Sequence, residues 1–339
     1  MNPRLNTIVF ELNHECNLDC RYCYNIWKIQ GKEQPIRKTS YKQAINTLSK
    51  FFRMVEVGHV SMSGGEPLLT ERFAEIVLFT RMKRKGVTII SNGTAGSEEE
   101  YKTLISLGAK LFEFPLHSDV AEIHEDMTRC KGSWQASVGS IVQVLALGGQ
   151  VVTVIILSKI NHERIAETLA FHKNLGINRV MLNRFNIGGE GIKESRNLLL
   201  SKDELENAFI RAGKVASELG IQVSSNVCFP ECYIDQTKIP NIYFTSCSND
   251  ISRMPVTLDI DGNVRICNHS PVVLGNIFKD KANVIFNHQH IQDWKTVKPS
   301  FCDACDKFDH CLGGCRAAAL QVGNTLDFPD PVLLGNENR

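Results

Sequence analysis

Short apolar runs and longer stretches of helical periodicity alternate along the first two-thirds of the chain. Residues 7–12 (TIVFEL) read as a buried strand, and the apolar spacing over 39–54 predicts a helix. Strands follow at 59–63 (HVSMS), 86–91 (GVTIIS), 110–116 (KLFEFPL), 150–157 (QVVTVIIL) and 178–185 (NRVMLNRF). Helical patterns lie between them at 71–85, 98–107, 133–147 and 163–175, and a last one, 202–219, follows the loop NIGGEG. Six β/α units in succession predict a parallel sheet with helices outside it. Six are too few to close an eight-unit barrel, so the expected fold is α/β, a partial (β/α)6 TIM-like barrel with ligands at the C-terminal ends of its strands.

The texture changes after residue 225. Cysteines become dense and the helical patterns become short, which predicts a core domain over 1–224 and a small cysteine-rich domain over 225–326. Residues 327–339, with Pro329, Pro331 and Gly335, predict an extended or frayed tail.

Composition narrows the class of partner. A net charge of +1 gives no electrostatic case for nucleic acid or a membrane surface. The basic run RMKRK (81–85) sits at a predicted helix C-terminus, where cations are favoured for local reasons. No signal peptide and no apolar run approaching ~20 residues is present, so the expected location is the cytoplasm. Thiols stay reduced there, and twelve cysteines then argue for metal or cluster ligation over disulfides.

Three of them, Cys16, Cys20 and Cys23, follow the first strand directly as C-x3-C-x2-C. Three thiolates leave a tetrahedral site or a [4Fe–4S] cluster one ligand short, and that open position is where a substrate or cofactor binds in catalytic centres. A zinc site completed from afar, or three separate buried cysteines, are the alternatives at this point. The second strand ends in GGEP. Gly64 and Gly65 let a ligand approach the backbone, Glu66 accepts a charged hydrogen bond from an ammonium group, and Pro67 suits the first turn of a helix.

C-x3-C-x2-C with Tyr22 inside its C-x2-C, one β/α unit before GGEP, resembles the radical S-adenosylmethionine (SAM) enzymes over roughly residues 5–220. The resemblance implies that Cys16, Cys20 and Cys23 hold a [4Fe–4S] cluster whose fourth iron takes the amino and carboxylate groups of SAM. It also implies that Gly64, Gly65 and Glu66 meet the methionine amino group. Ser91 and Asn92 of SNGT resemble the ribose and methionine contact, and Val154, with its neighbours to Ile156, would flank the adenine. Many relatives carry a serine on the fourth strand and an arginine after a His-Asp pair. Here Pro115 stands at the serine position and Arg129 is shifted by one, so His117, Ser118 and Arg129 are the candidates for the methionine carboxylate.

Six later cysteines form a second pattern. Cys247 precedes Gly262 and Cys267, and Cys302-x2-Cys305-x5-Cys311-x3-Cys315 follows; DIDGNVRIC reads as a hairpin with Cys267 ending its second strand. Zinc is the general alternative for such spacing. The whole string, with LGNI between its halves, resembles the SPASM extension, which carries auxiliary [4Fe–4S] clusters. The resemblance implies a first auxiliary cluster on Cys247, Cys267, Cys315 and either Cys232 or Cys228. A second would use Cys302, Cys305 and Cys311 plus a later cysteine, and no cysteine follows Cys315. One or two auxiliary clusters, unequal in robustness, are therefore expected: a non-cysteine ligand, an open iron or Cys228 reaching across completes the second, or it is absent. Cys130 lies outside every pattern and reads as a buried free cysteine.

The resemblance implies an enzyme that cleaves SAM to a 5′-deoxyadenosyl radical and takes a hydrogen from a peptide during maturation of a ribosomal natural product. The bond made could be a cross-link or thioether, or the outcome an epimerisation or decarboxylation. It implies an external electron donor such as flavodoxin or ferredoxin. Because the first strand begins at once, the expectation is either a separate leader-peptide-binding protein or a substrate that is not a leader peptide. The alternatives are action on a small molecule or tetrapyrrole, or an iron–sulfur electron carrier, which would have no use for GGEP.

Overall fold

The computed structural model describes residues 2–29 and 35–335. Six parallel strands form its centre in chain order: β1 (Arg4–Glu11), β2 (Glu56–Ser63), β3 (Gly86–Ile90), β4 (Leu111–Pro115), β5 (Gln150–Leu157) and β6 (Arg179–Arg184). Helices between them pack outside, as the alternating periodicities predict. Capping boxes start two of these: Ser97 with Glu100 before Glu98–Ser106, and Ser201 with Glu204 before Lys202–Leu219. Gly220, in the left-handed region at φ 64°, ends the second. A short helix, Ala121–Thr128, fills the stretch between β4 and the helix Ser133–Ala146, where no element is predicted.

The sheet does not stop at six strands. β7 (Gln222–Ser225) and β8 (Ile242–Phe244) extend it in parallel beyond β6. On the other side β9 (Val256–Asp259) lies parallel to β1, with Ile8 opposite Val256. β10 (Asn263–Arg265) and β11 (Val273–Asn276) complete that side antiparallel. The sheet has eleven strands in the order β11-β10-β9-β1-β2-β3-β4-β5-β6-β7-β8, unclosed between β11 and β8. The partial barrel is thus present, and the cysteine-rich region is built onto both of its edges. An unpaired β1 would expose a row of backbone donors and acceptors, which β9 covers. Glu11 and Arg265, both buried, form an ion pair across this seam.

Two local expectations change. The hairpin forms, but its second strand ends at Arg265, leaving Cys267 in the loop beyond. The tail is not frayed over its described part. Asp330, 1% exposed, accepts hydrogen bonds from Arg184 Nη2 at 2.5 Å and from the Cys315 amide at 2.7 Å, and Val332 is buried. A buried carboxylate so paired anchors the segment. Residues 336–339 lie outside the described residues. Among the described residues no helix is long and apolar enough to cross a membrane.

Candidate cluster and cofactor sites

The loop carrying Cys16, Cys20 and Cys23 crosses the C-terminal end of the sheet, held against the turn after β2. Gly65 N–H donates to Asn13 O at 2.9 Å and Glu66 N–H donates to Glu15 O at 2.7 Å. The Asn13 amide in turn donates to Glu66 O at 2.9 Å and to Thr70 Oγ1 at 2.8 Å. A Cβ on Gly64, at φ +135°, would lie 2.6 Å from Asn13 O, and one on Gly65 would lie 2.1 Å from Glu15 O. The close approach that these glycines permit is therefore that of the cysteine loop itself, where the sequence suggested a ligand.

Glu66 is fully buried. Its Oε1 accepts from Leu68 N at 3.0 Å and its Oε2 from Asn92 N at 2.7 Å, so both oxygens are already engaged by backbone donors. Burial pushes this carboxyl up to about 7, against the pull of those N–H groups. Glu66 thus joins the turn after β2 to the turn after β3, a structural part that the expected ammonium contact did not include. Ser91 Oγ accepts from Gly93 N at 3.1 Å. Asn92 Nδ2 donates to Asn17 Oδ1 at 2.8 Å and lies 3.8 Å from Cys16 Sγ. GGEP and SNGT both grip the cysteine loop.

Burial raises the Cys16 and Cys23 thiols and pushes Cys20 up to about 12, with the neighbouring Cys23 and Cys16 adding to the rise. Lys28 Nζ, 3.1 Å from Asp19, is the cation nearest to balancing them. Three mutually repelling, half-buried thiolates need a cationic partner, and an iron–sulfur cluster is one. Among the described residues no three His, Cys, Asp or Glu side chains converge tightly enough for a single metal ion. The donor set fits a cluster, whose sulfur ligands spread around a cube.

The remaining candidates divide. Val154 sits on β5 next to Pro115 of β4 in register. His117 is 1% exposed; its Nδ1 accepts from Ile156 N at 3.3 Å, and its ring meets Tyr22 edge-on with centroids 4.6 Å apart. Burial lowers its pKa far below the usual histidine range. Ser118 Oγ caps Val120 N at 3.1 Å and its carbonyl takes Trp134 Nε1 at 3.0 Å. Arg129 is occupied by carboxylates: Nη2 to Glu194 at 2.6 Å, and Nη1 to Glu190 at 3.2 Å and Asp19 at 3.4 Å. Arg21, inside the cysteine motif, shares Glu194 at 2.7 Å and takes Asp126 at 2.9 Å. These ion pairs clamp the outer side of the cysteine loop.

The C-terminal thiols fall into two groups. Cys228 hydrogen-bonds with Cys247 and Cys315; the Cys247 contact and burial push its thiol far up, against the pull of the Cys315 contact. Cys267 neighbours Cys315, and burial pushes it up to about 12. Cys302 neighbours Cys305 and Cys311 and rises to about 11, again chiefly by burial. Asn186 Nδ2 donates to Cys315 Sγ and the His269 amide to Cys267 Sγ, both at 3.3 Å. Cys130 is half-buried, more open than expected, because its helix has ended in a left-handed turn at Arg129.

Residues outside the sequence reading join the two cysteine regions. Tyr24, next to Cys23, stacks on His269, two residues past Cys267, with centroids 3.7 Å apart. Asn268 Nδ2 donates to Tyr24 Oη at 2.7 Å, and Gln321 Nε2 to His269 O at 2.7 Å. Only the aromatic character of residues flanking cysteines signals this pair in the sequence. A cavity of 880 Å³ lies elsewhere, toward the N-terminal halves of β4–β8, and Glu113, Arg179, Met181 and Tyr243 are among its lining. None of the candidate cofactor residues lines it.

Comparison with known proteins agrees with this geometry. The radical SAM superfamily model matches residues 10–172 and the SPASM iron–sulfur cluster-binding domain model matches residues 247–311. PqqA peptide cyclase of Gluconobacter oxydans is 23% identical over 96% of this chain and 89% of its own length. Mycofactocin maturase MftC of Mycolicibacterium smegmatis is 25% identical over 96% and 81%. Among solved structures, Streptococcus suis SuiB bound to S-adenosylmethionine superposes with a TM-score of 0.74 at 16% identity, covering 97% of this chain and 77% of that one. anSMEcpe with bound AdoMet and the Kp18Cys peptide gives 0.73 at 15%, covering 98% and 95%. The radical SAM model over residues 10–172 and the SPASM model over residues 247–311, on a partial barrel that seats the three-cysteine loop, identify this chain as an enzyme of the radical SAM superfamily with a SPASM iron–sulfur domain.

Proposed function

We propose that the enzyme modifies a peptide, by hydrogen abstraction, in the maturation of a ribosomally made natural product. The observation that carries the SAM chemistry is the docking of the Cys16–Cys23 loop onto both the Gly64–Glu66 and the Ser91–Asn92 turns. Cys16, Cys20 and Cys23 would hold the [4Fe–4S] cluster. The backbone of Gly64–Glu66, with Ser91, Asn92 and Val154, would bind SAM. When bound, that cluster supplies the electron that cleaves SAM to methionine and the 5′-deoxyadenosyl radical, the species that takes the substrate hydrogen. Glu66 holds the two binding turns together, and Arg21 and Arg129 keep the loop closed against Glu194. His117, buried beside Tyr22, packs the floor under the loop.

The peptide class rests on the sequence relatives, a PqqA peptide cyclase above all and a mycofactocin maturase beside it, both matched along nearly the whole chain. An external flavodoxin or ferredoxin would reduce the N-terminal cluster, and a separate protein would present the leader peptide, both in the cytoplasm. The test is to incubate the anaerobically loaded, reduced full chain with SAM and with short peptides encoded beside its gene. The expected result is 5′-deoxyadenosine with a mass change in one peptide. SAM cleavage accompanied by turnover of a small molecule instead would overturn the peptide assignment alone.

A further inference from the structure

We infer that Cys232 is the fourth thiolate of the second auxiliary site, so that site is closed from upstream of the cysteine string and not from downstream. This rests on the cluster reading of the C-terminal domain and goes beyond it, because counting along the sequence leaves Cys302, Cys305 and Cys311 one ligand short.

Two segments with the same spacing run side by side. Cys228-x3-Cys232 lies against Cys311-x3-Cys315. At one end Cys228 hydrogen-bonds with Cys315, which places both thiols in the first site together with Cys247 and Cys267. Arg184 fixes this end by donating through Nε and Nη2 to Cys228 O at 3.1 and 2.9 Å. At the other end the Glu231 amide donates to Cys311 Sγ at 3.3 Å, and Phe229 O lies 3.8 Å from the same sulfur. The next residue along is Cys232. A turn closed by Tyr233 N–H to Pro230 O at 2.8 Å directs the chain here. Glu231 pins the turn through His310 Nδ1 at 2.5 Å and Lys307 Nζ at 3.7 Å.

Cys232 is a neighbour of the Cys302 thiol, as Cys305 and Cys311 are. Four residues span roughly 13 Å at full extension, so one strand of chain can give a thiol to each of two separate sites. Gly313 and Gly314, at φ +72° and +97°, let the facing segment do the same. A Cβ on Gly314 would lie 2.7 Å from Pro230 Cδ, and one on Gly313 3.4 Å from Cys302 Sγ. Each segment therefore feeds both sites, and each site has four cysteines.

The consequence is functional. With every iron thiolate-bound, neither auxiliary cluster offers an open position for substrate, and both are suited to electron transfer alone. Cys232 is exposed while Cys302 and Cys311 are buried, so the second site meets solvent at this ligand. That is the side on which an external redox partner can exchange electrons.

Thiol footprinting on the fully loaded holoenzyme tests the assignment. A short anaerobic pulse of iodoacetamide, followed by peptide mass spectrometry, reads each cysteine, with the half-buried, non-ligating Cys130 as internal standard. Cys232 is expected to react at least about tenfold more slowly than Cys130 before cluster removal, and at a comparable or faster rate after it. Equal labelling of the two in the loaded protein overturns the assignment. Cys232→Ala should lower the iron content from about twelve to about eight per chain, or retain twelve with one iron that has lost its thiolate signature in the Mössbauer spectrum. Twelve irons with an unaltered spectrum overturn it as well. Stoichiometric zinc with little C-terminal iron would overturn the cluster reading itself, a failure distinct from a loaded second site with free Cys232.

Discussion

The N-terminal and C-terminal cysteine sites solve the same ligation problem by opposite routes. Cys16, Cys20 and Cys23 lie within eight consecutive residues, and the sheet only has to seat that loop. The C-terminal thiols come from positions spread over 228–315 and meet only because β9–β11, the turn at Pro230 and the Gly313-Gly314 reversal bring them together. The local set is one thiolate short; with Cys232 as the inferred ligand, each of the two dispersed sets has four. A cluster that must bind a cofactor is served by a short loop with a free side. Clusters that only carry electrons are served by segments wrapped around them from several directions. Tyr24 stacked on His269 joins the two regions at their shared border.

The sharpest break in this comparison is removal of the local set. Changing Cys16, Cys20 and Cys23 together to alanine should abolish 5′-deoxyadenosine formation while about eight C-terminal irons remain. Undiminished SAM cleavage would sink the division of labour, and loss of all iron would show the sites to be interdependent.

Next in size is Gly65→Ala. The new Cβ would sit 2.1 Å from Glu15 O, a backbone atom that cannot move without displacing the cysteine loop. A loss of about 3 kcal/mol or more is expected, with poor loading of the N-terminal cluster and normal C-terminal iron. Thermal melting and iron analysis read both.

Glu66→Gln probes the seat more gently. The carboxylate accepts two backbone hydrogen bonds, and an amide can accept at only one of those ends. Stability should fall by about 1–3 kcal/mol, and SAM affinity measured by calorimetry should fall with it. Weakened SAM binding at unchanged stability would restore a direct ammonium contact as the whole of its role.

The smallest expected effect lies away from both cysteine regions. Burial pushes Glu113, which lines the cavity near Arg179, up to about 7 from an ordinary 4.5. Its ionisation is therefore disfavoured in the folded chain, and that cost is absent below pH 4.5 and complete above about 7. Glu113→Gln should raise the urea midpoint relative to wild type at pH 8 and leave it nearly unchanged at pH 4.5. A difference that grows toward acid would reverse the assigned sign.

Much of this was legible along the chain. Each of the six central strands overlaps a stretch that reads as a strand, and all but the second, EVGHVSMS, carry an apolar run, as strands covered by helices commonly do. GGEP and C-x3-C-x2-C were legible as a pair because each is a local turn whose chemistry is carried by adjacent residues. Gly64 and Gly65 were legible as a close approach, but not what approaches, since Asn13 and Glu15 are some fifty residues away in sequence. Arg129 reads along the chain as a candidate for the methionine carboxylate, and its partners Glu190 and Glu194 are not legible there because they lie more than sixty positions on.

Local pattern is enough for the six-unit parallel sheet, the end of it that carries chemistry, and a three-thiolate loop with one position open. Those follow from period, turn residues and short spacings, which operate over a few residues. It took the folded chain to show that the cysteine-rich region extends the same sheet, that Glu66 is a tie between two turns, and that Cys228 and Cys232 stand beside different groups of thiols. Two cysteines four residues apart are equivalent by count. What separates them is Arg184 holding the carbonyl of one and Cys311 receiving the amide hydrogen of the residue just before the other, contacts across 44 and 80 positions that no local pattern records.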